Sequence, residues 1–479
     1  MRSWAIILLI LLTSNVPLLA QNKQLLYDFT EIPDALMVNP GMLTDYQWYA
    51  GLPVVSGLSI QAGSNALTVH DLFADDGEDF NDKVREKAID RMGIRDELSG
   101  TFQTHLLNAG FRGRNPDNFY SFGIYTEGDA IGYWFKDLAI LAFEGNAPHL
   151  GRRFNLDHLK ARSEMVNVFH FGLNKRIHKK LTVGARAKIY SSVFHASSTK
   201  NSGYFVTTEG ENNLRANTLV ADMEFRSSGL DEIKDALDDN ENTSLSEVLS
   251  RRMFFGGDLG LGVDLGFTYH LNERTLLTGS LLDLGFIYNT TDVKNYSLNG
   301  AATVEGIEFI LPEAFSNLND DLWQELIEEV ESLIPYENNT KSYLSFRPTK
   351  LYGSLRYNFG KPMPSRGRCD CKDLVFGRQR FKDFNNAVGG QLYVINRPRG
   401  PQAALTAFYL RRFGHALAVK ATYTVDKFSF SNIGLGLSLQ AGPVNLYVMA
   451  DNLLAYGNVA DSHYASFQFG LNIISWGKK

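Results

Sequence analysis

Cysteine is almost absent from this chain: 2 residues among 479, at Cys369 and Cys371. That count excludes a disulfide-scaffold protein. Beyond the first twenty residues no run of eighteen apolar residues occurs, so no helix anchors the mature chain in an inner membrane. Basic residues form no block long enough for a nucleic-acid arm, and the formal net charge is −6. The 10 histidines are dispersed; none forms an HExxH pair, and the chain has no GxSxG elbow and no GxxxxGK loop. His170 and His195 are the nearest candidates for a triad assembled from separate strands. No catalytic residue, cofactor site or metal site is assigned.

Glycine is abundant, at 42 residues, and aromatic residues make up 12%. So many aromatic rings cannot stay solvated in an open chain, which excludes disorder. With 44% hydrophobic residues the balance is too polar for a bundle of membrane helices. It fits a barrel with one lipid-facing and one wet face. Residues 1–20 read as a secretory signal peptide: Arg2 ahead of an apolar stretch from Ala5 to Leu12, with cleavage after Ala20.

The remainder alternates with period two, which places one residue set on each face of a strand. From Asp258 to Tyr269, Leu259, Leu261, Val263, Leu265, Phe267 and Tyr269 share one face. Asp258, Gly260, Gly262, Asp264, Gly266 and Thr268 share the other. Such a run exceeds the usual soluble strand of ~5–6 residues and matches the ~9–11 needed to cross a bilayer at a tilt. Similar alternation covers 183–189, 351–359, 433–440 and 465–473. Weaker segments lie near 50–63, 101–112, 118–126, 129–135, 138–144, 166–176, 202–209, 276–287, 302–310, 387–396, 402–411 and 414–424. A soluble β-sandwich would place bulky residues inside and charges outside, the reverse of this size relation. The reading is an all-β chain, a transmembrane antiparallel β-barrel of about 14 strands within a range of 12–18. Arg186, Lys188, Asp258, Asp264 and Arg356 fall on its lumen face.

Charged insertions near 71–97, 228–252, 312–337 and 360–382 interrupt the strands. A helix is expected around 80–92, and two short helices within 228–252. Ser244 and Glu247 stand at the spacing of a capping box in the second of these. Residues 312–337 predict an acidic amphipathic helix between Pro312 and Pro335, with Phe315, Leu318, Leu322, Leu326, Ile327, Val330 and Ile334 on one stripe. The loop 360–382 is basic and holds both cysteines, which could pair as a strained disulfide or supply half of a metal site.

At the mature N-terminus, Asn39-Pro40-Gly41, Tyr46, Trp48 and a Gly51-Leu52-Pro53 strand follow one another. This pattern resembles an uncharacterised family of Bacteroidota outer-membrane proteins, across nearly the whole mature chain. The Asn-Pro element is also similar to one in fatty-acid-transporter-like (FadL-like) barrels and in barrels associated with type IX secretion. Those continue with Ala, where this chain has Gly41. The resemblance implies a barrel of about fourteen strands whose residues 21–47 enter the lumen as a hatch, with Asn39, Pro40 and Gly41 at its turn and the barrel spanning 48–479. Two functions follow as expectations. One is passive transport of a small hydrophobic molecule; the other is a non-enzymatic scaffold holding a secretion or surface-attachment partner through the charged loops. Outer-membrane lipid is the expected surrounding, and no nucleic-acid partner is expected.

Overall fold

The computed structural model describes residues 23–210, 215–237, 244–305, 336–363, 381, 383–428 and 432–476. Twenty strands follow in chain order: β1 (Trp48–Gly51), β2 (Leu58–Ser64), β3 (Glu97–Arg112), β4 (Asn118–Tyr133), β5 (Arg153–Asn155), β6 (Ala161–His178) and β7 (Leu181–Glu209). Then come β8 (Arg215–Ser228), β9 (Asp258–His270), β10 (Thr275–Asn289), β11 (Val293–Glu305), β12 (Tyr336–Asn339), β13 (Tyr343–Phe346) and β14 (Lys350–Pro362). The last are β15 (Phe384–Arg397), β16 (Gly400–Phe413), β17 (Leu417–Val425), β18 (Asn432–Ala441), β19 (Val444–Asp451) and β20 (Tyr464–Ser475).

Every pairing is antiparallel, and the sheet closes. β20 pairs with β1 at Tyr49↔Ile474 and with β2 at Ile60↔Phe467, and both of these pair onward to β3. β1 and β2 together make one wall position, as do β13 and β14 against β10. The result is a closed 14-strand barrel, in agreement with the expected fold class. No described helix is long and apolar enough to cross a membrane. Closure matters in lipid because an open edge would leave its N–H and C=O groups without partners.

The alternation sets the faces. On β9, Leu259, Leu261, Val263, Leu265 and Phe267 are 37–58% exposed on the outer wall, whereas Asp258 and Asp264 are 1% and 0% exposed inside. The same relation holds on β14, where Leu351, Leu355 and Tyr357 point out and Tyr352, Ser354 and Arg356 are buried. Connections at 113–117, 179–180, 271–274, 414–416 and 442–443 are short and share an end with Trp48 and Ser475. The β14–β15 connection, 363–383, is also at this end; the opposite end carries the other long connections and one tight turn, 398–399.

One strand leaves the wall. β7 has 29 residues; Leu181–Ser192 pair with β9, whereas from His195 onward it pairs with β8. β8 continues to β11 and β11 to β12. These strands form an arm beyond the barrel rim, braced by a small core of Ile89, Ile140, Phe154 and Phe205.

Several local expectations are corrected. Residues 138–144 form a helix, Lys136–Glu144, instead of a strand. Its Leu and Ala residues favour helix, and Asp137 and Ile140 are buried three residues apart, one helical face. A short apolar run does not distinguish the two periods. Segments 118–126 and 129–135 are one strand, β4. Within 228–252 the helices Leu230–Leu237 and Leu245–Arg251 are present, but the Ser244 side chain makes no cap hydrogen bond; its hydroxyl lies 3.1 Å from that of Ser246. The expected helix near 80–92 is Phe80–Lys83 followed by a π-helical run, Val84–Arg91. The amphipathic helix expected at 312–337 lies outside the described residues except for Tyr336 and Glu337, which open β12; the leader and the Cys369/Cys371 pair also lie outside them.

Candidate functional site: a filled lumen

Residues 23–46 lie inside the barrel. Leu25, Tyr27, Phe29 and Ile32 are fully buried there, in one cluster with Tyr352, Tyr393, Phe408, Leu410 and Met449 of the inner wall. The segment is neither strand nor long helix. It turns repeatedly through three-residue hydrogen bonds, Phe29 N to Leu26 O, Ile32 N to Phe29 O and Ala35 N to Ile32 O, each 3.1 Å. A single 3-10 turn, Pro33–Met37, opens with proline, whose fixed φ suits the first helical position.

So compact a path leaves many carbonyls without main-chain partners, and buried carbonyls need donors. The barrel wall supplies them as side chains. Arg186 donates to the carbonyls of Leu36 and of Met37, the latter at 3.2 Å. Arg356 donates to Asp28 O at 3.2 Å, Gln391 to Tyr27 O at 3.1 Å and Ser280 to Val38 O at 2.6 Å. Lys420 reaches Gln24 O at 3.2 Å and also Tyr27 O. Asp34 accepts from Asn108 on β3 and Asn472 on β20, both at 2.7 Å, and lies 3.0 Å from His105 Nδ1.

The Asn39-Pro40-Gly41 turn sits against the wall at β7 and β9. Asn39 Oδ1 accepts from Gly41 N at 2.9 Å, and Asn174 donates to Pro40 O and Met42 O at 2.7 Å each. Gly184 and Gly266 are direct partners across the ladder there. A Cβ on Gly184 would fall 2.0 Å from Pro40 O, one on Gly266 2.3 Å from Asn39 Oδ1, and one on Gly41 2.4 Å from Gly266 O. Three missing side chains create this close approach.

Beside the segment runs a ladder of buried ion pairs. Asp264 holds Arg186 and Lys188, each at 2.9 Å. Lys188 also meets Asp283 at 2.6 Å, and Asp283 meets Lys350 at 3.0 Å. Lys350 meets Glu127 at 2.6 Å, Glu127 lies 3.4 Å from Arg347, and Arg347 pairs with Glu164. A cavity of about 30 Å³ remains between segment and ladder, bordered by Lys23, Gln103, Tyr125, Asp283 and Lys350. It has room for about one or two waters.

Of the residues singled out from sequence, Arg186, Lys188, Asp264 and Arg356 all face this region. Asp258 is also buried but lies nearer the long-loop end, where it accepts from Ser228 and from the amides of Thr290 and Thr291. Glu127, Glu164, Asp283, Arg347 and Lys350 were missed. Asp283 sits in a bulge between Leu281 and Leu284 with φ +58°, which breaks the alternation a reader follows. His170 and His195 do not meet: the former packs on Tyr125, and the latter's Nδ1 lies 2.9 Å from the Tyr343 hydroxyl. Among the described residues no group of three or more His, Cys, Asp or Glu could hold a metal.

Residues 40–451 match a family of unknown function, DUF5723. The chain belongs to that family. No curated protein matches it. Solved structures similar to this chain include the toluene transporter TbuX of Ralstonia pickettii, at 10% identity over 92% of each chain with a TM-score of 0.38. A FadL homologue of Pseudomonas aeruginosa is similar at 8% identity over 96% of this chain and 98% of its own, TM-score 0.41. The translocator domain of the autotransporter NalP from Neisseria meningitidis has 7% identity over 92% of each, TM-score 0.33.

Proposed function

We propose that the protein is an outer-membrane barrel that passes small hydrophobic molecules, with residues 23–46 as the movable closure of its lumen. The observation that carries this reading is the way that segment is held. It fills the lumen, yet no strand ladder joins residues 23–46 to the wall. Single side-chain donors grip its carbonyls, so it can leave without opening the barrel. Its fully buried face is aromatic and aliphatic, a lining that a hydrophobic solute could meet in its place. The end with five short turns would then face the periplasm and the end with most of the long connections the exterior, the usual arrangement in such barrels.

The test is uptake of the fluorescent hydrophobe 1-N-phenylnaphthylamine by cells bearing the barrel in their outer membrane. Wild type is expected to take it up faster than cells with an empty vector, and Gly184→Val, which denies the Asn39-Pro40-Gly41 turn its seat, faster still. Uptake equal to the empty vector for both proteins, each present and folded in the membrane, overturns the reading.

A second reading, a scaffold for a secretion or attachment partner, is favoured by the arm of β8, β11 and β12, which a conduit does not need. Crosslinking in intact cells that recovers a stoichiometric partner on that arm would support it over transport.

A further inference from the structure

On the outer side of the wall, above the apolar band, lies a cleft of about 1270 Å³. Its floor follows one row of the sheet. Leu98 pairs with Gly132 and Gly132 with Ala161, whose amide hydrogen-bonds to Ser198 Oγ; Ser198 pairs with Phe225 and Phe225 with Tyr296. The face is the outer one, because Leu98 is 68% exposed whereas its neighbour Glu97 is buried inside. The arm curls around one side and the helix Val69–Phe73 covers another, adding Val69, Leu72 and Phe73. Lys160, Lys200 and Glu224 also border it; Lys200 lies 3.5 Å from Asp222, and the Glu224 carboxylate is held by Arg226 at 2.9 Å.

We infer that this cleft seats the acyl chains of a lipid drawn from the adjoining outer leaflet, with its anionic headgroup toward Lys160 and Lys200. Position argues for it first. Measured up β3 from Phe111, Leu98 stands roughly 30 Å above the lower edge of the apolar face, given ~3.4 Å per residue and a ~40° tilt. An apolar band of ~25 Å ends just below it. Continuity argues next. Phe102, Ile60 and Phe467, all outward and exposed, run from the band to Leu98, Ala62 and Ala465 in the cleft without a charged residue between them. A chain can therefore slide up the wall and remain against carbon. Size argues third, since the volume exceeds the ~300–1,000 Å³ typical of single drug-sized ligands and suits a lipid with more than one chain. The inference stands on the outer wall alone and is independent of transport through the lumen.

Trp134 borders the cleft and Trp48 lies on the outer wall near the short-turn end, so each can report separately. Two proteins, each keeping one of these tryptophans with the others replaced by Phe, are placed in bilayers of phosphatidylglycerol with brominated acyl chains. Bromine quenches both if lipid chains enter the cleft, and Trp48 serves as the bilayer control. Gly132→Leu occupies the cleft floor on the face that leads to Trp134, and a Cβ there meets nothing within 4 Å. It is expected to weaken the quenching of Trp134 while Trp48 stays quenched as in the parent and the folded gel band is retained. Three results overturn the inference: Trp134 unquenched while Trp48 is quenched; quenching of Trp134 that Gly132→Leu leaves undiminished; or quenching only by free brominated fatty acid added to detergent, which would make the cleft a seat for a solute instead of a leaflet lipid.

Discussion

Asp264 has no exposed surface and holds two cations, Arg186 and Lys188, on one carboxylate. Buried ion pairs contribute little when whole, because desolvation offsets their attraction, but removing one partner leaves an uncompensated charge at a cost of about 3–5 kcal/mol. Asp264→Ala is therefore expected to lower stability by about that amount, read as a lower temperature for the boiling shift on gels and an earlier urea midpoint. Lys188→Met is expected to cost clearly less. In its absence Asp264 keeps Arg186 and Asp283 keeps Lys350, so no carboxylate in the ladder loses its last cation. Equal losses from the two substitutions would mean that the ladder does not share charge in this way.

At the scale of elements, Gly184→Val and Gly266→Val should each dislodge residues 23–46 while leaving β7 and β9 paired, since the added atoms meet the segment and not the neighbouring strand. Limited proteolysis from the short-turn side is expected to cut within 23–46 in these variants and not in wild type. The helix Val69–Phe73 at the cleft offers a second case. Thr68 and Asp71 cap it reciprocally: Asp71 N donates to Thr68 Oγ1 at 3.0 Å, and Thr68 N donates to the Asp71 carboxylate at 2.8 Å. Burial raises the Asp71 carboxyl somewhat, but the Thr68 amide and hydroxyl outweigh it and hold it below the ordinary range. A lowered value means that the cap contributes fully above the unfolded carboxylate value and is lost only as pH falls through the lower folded one. Amide exchange at Leu72 and Phe73 should therefore stay slow at mildly acidic pH and quicken below it, and Thr68→Ala should cost the helix about 1 kcal/mol at neutral pH.

These elements also show what a reader of the sequence can see. The wall is legible because lipid on one side and a crowded lumen on the other force a strict period of two, as on β9. The lumen ladder is only half legible. Arg186, Lys188 and Asp264 follow the alternation, whereas Asp283 sits in a bulge, and its partner Lys350 and the Glu127 that Lys350 also holds come from strands far apart in the chain. The arm's departure from the wall is not legible, because nothing between the segments 183–189 and 202–209 tells that β7 passes from β9 to β8, and within 136–144 a short apolar run passes for strand.

For the whole molecule, closed hydrogen bonding around fourteen strands predicts a compact band in detergent that shifts on boiling. A lumen filled by residues 23–46 predicts that wild type passes no steady ionic current in planar bilayers, whereas Gly266→Val does. A current of the same size in both would mean that ions pass around the segment.

Asp34 is gripped by Asn108 from the second wall position and Asn472 from the last. Those two residues come together only when β20 has joined β1 and β2. During biogenesis the N-terminus is made first, yet its binding place is finished last. Until then the hydrophobic stretch from Leu25 to Met42 has to wait outside a half-built cylinder, shielded by whatever escorts the chain. Docking of the first residues thus records that the seam has closed, and a chain shortened before Asn472 would lose both that grip and the β20–β1 pairing that closes the seam.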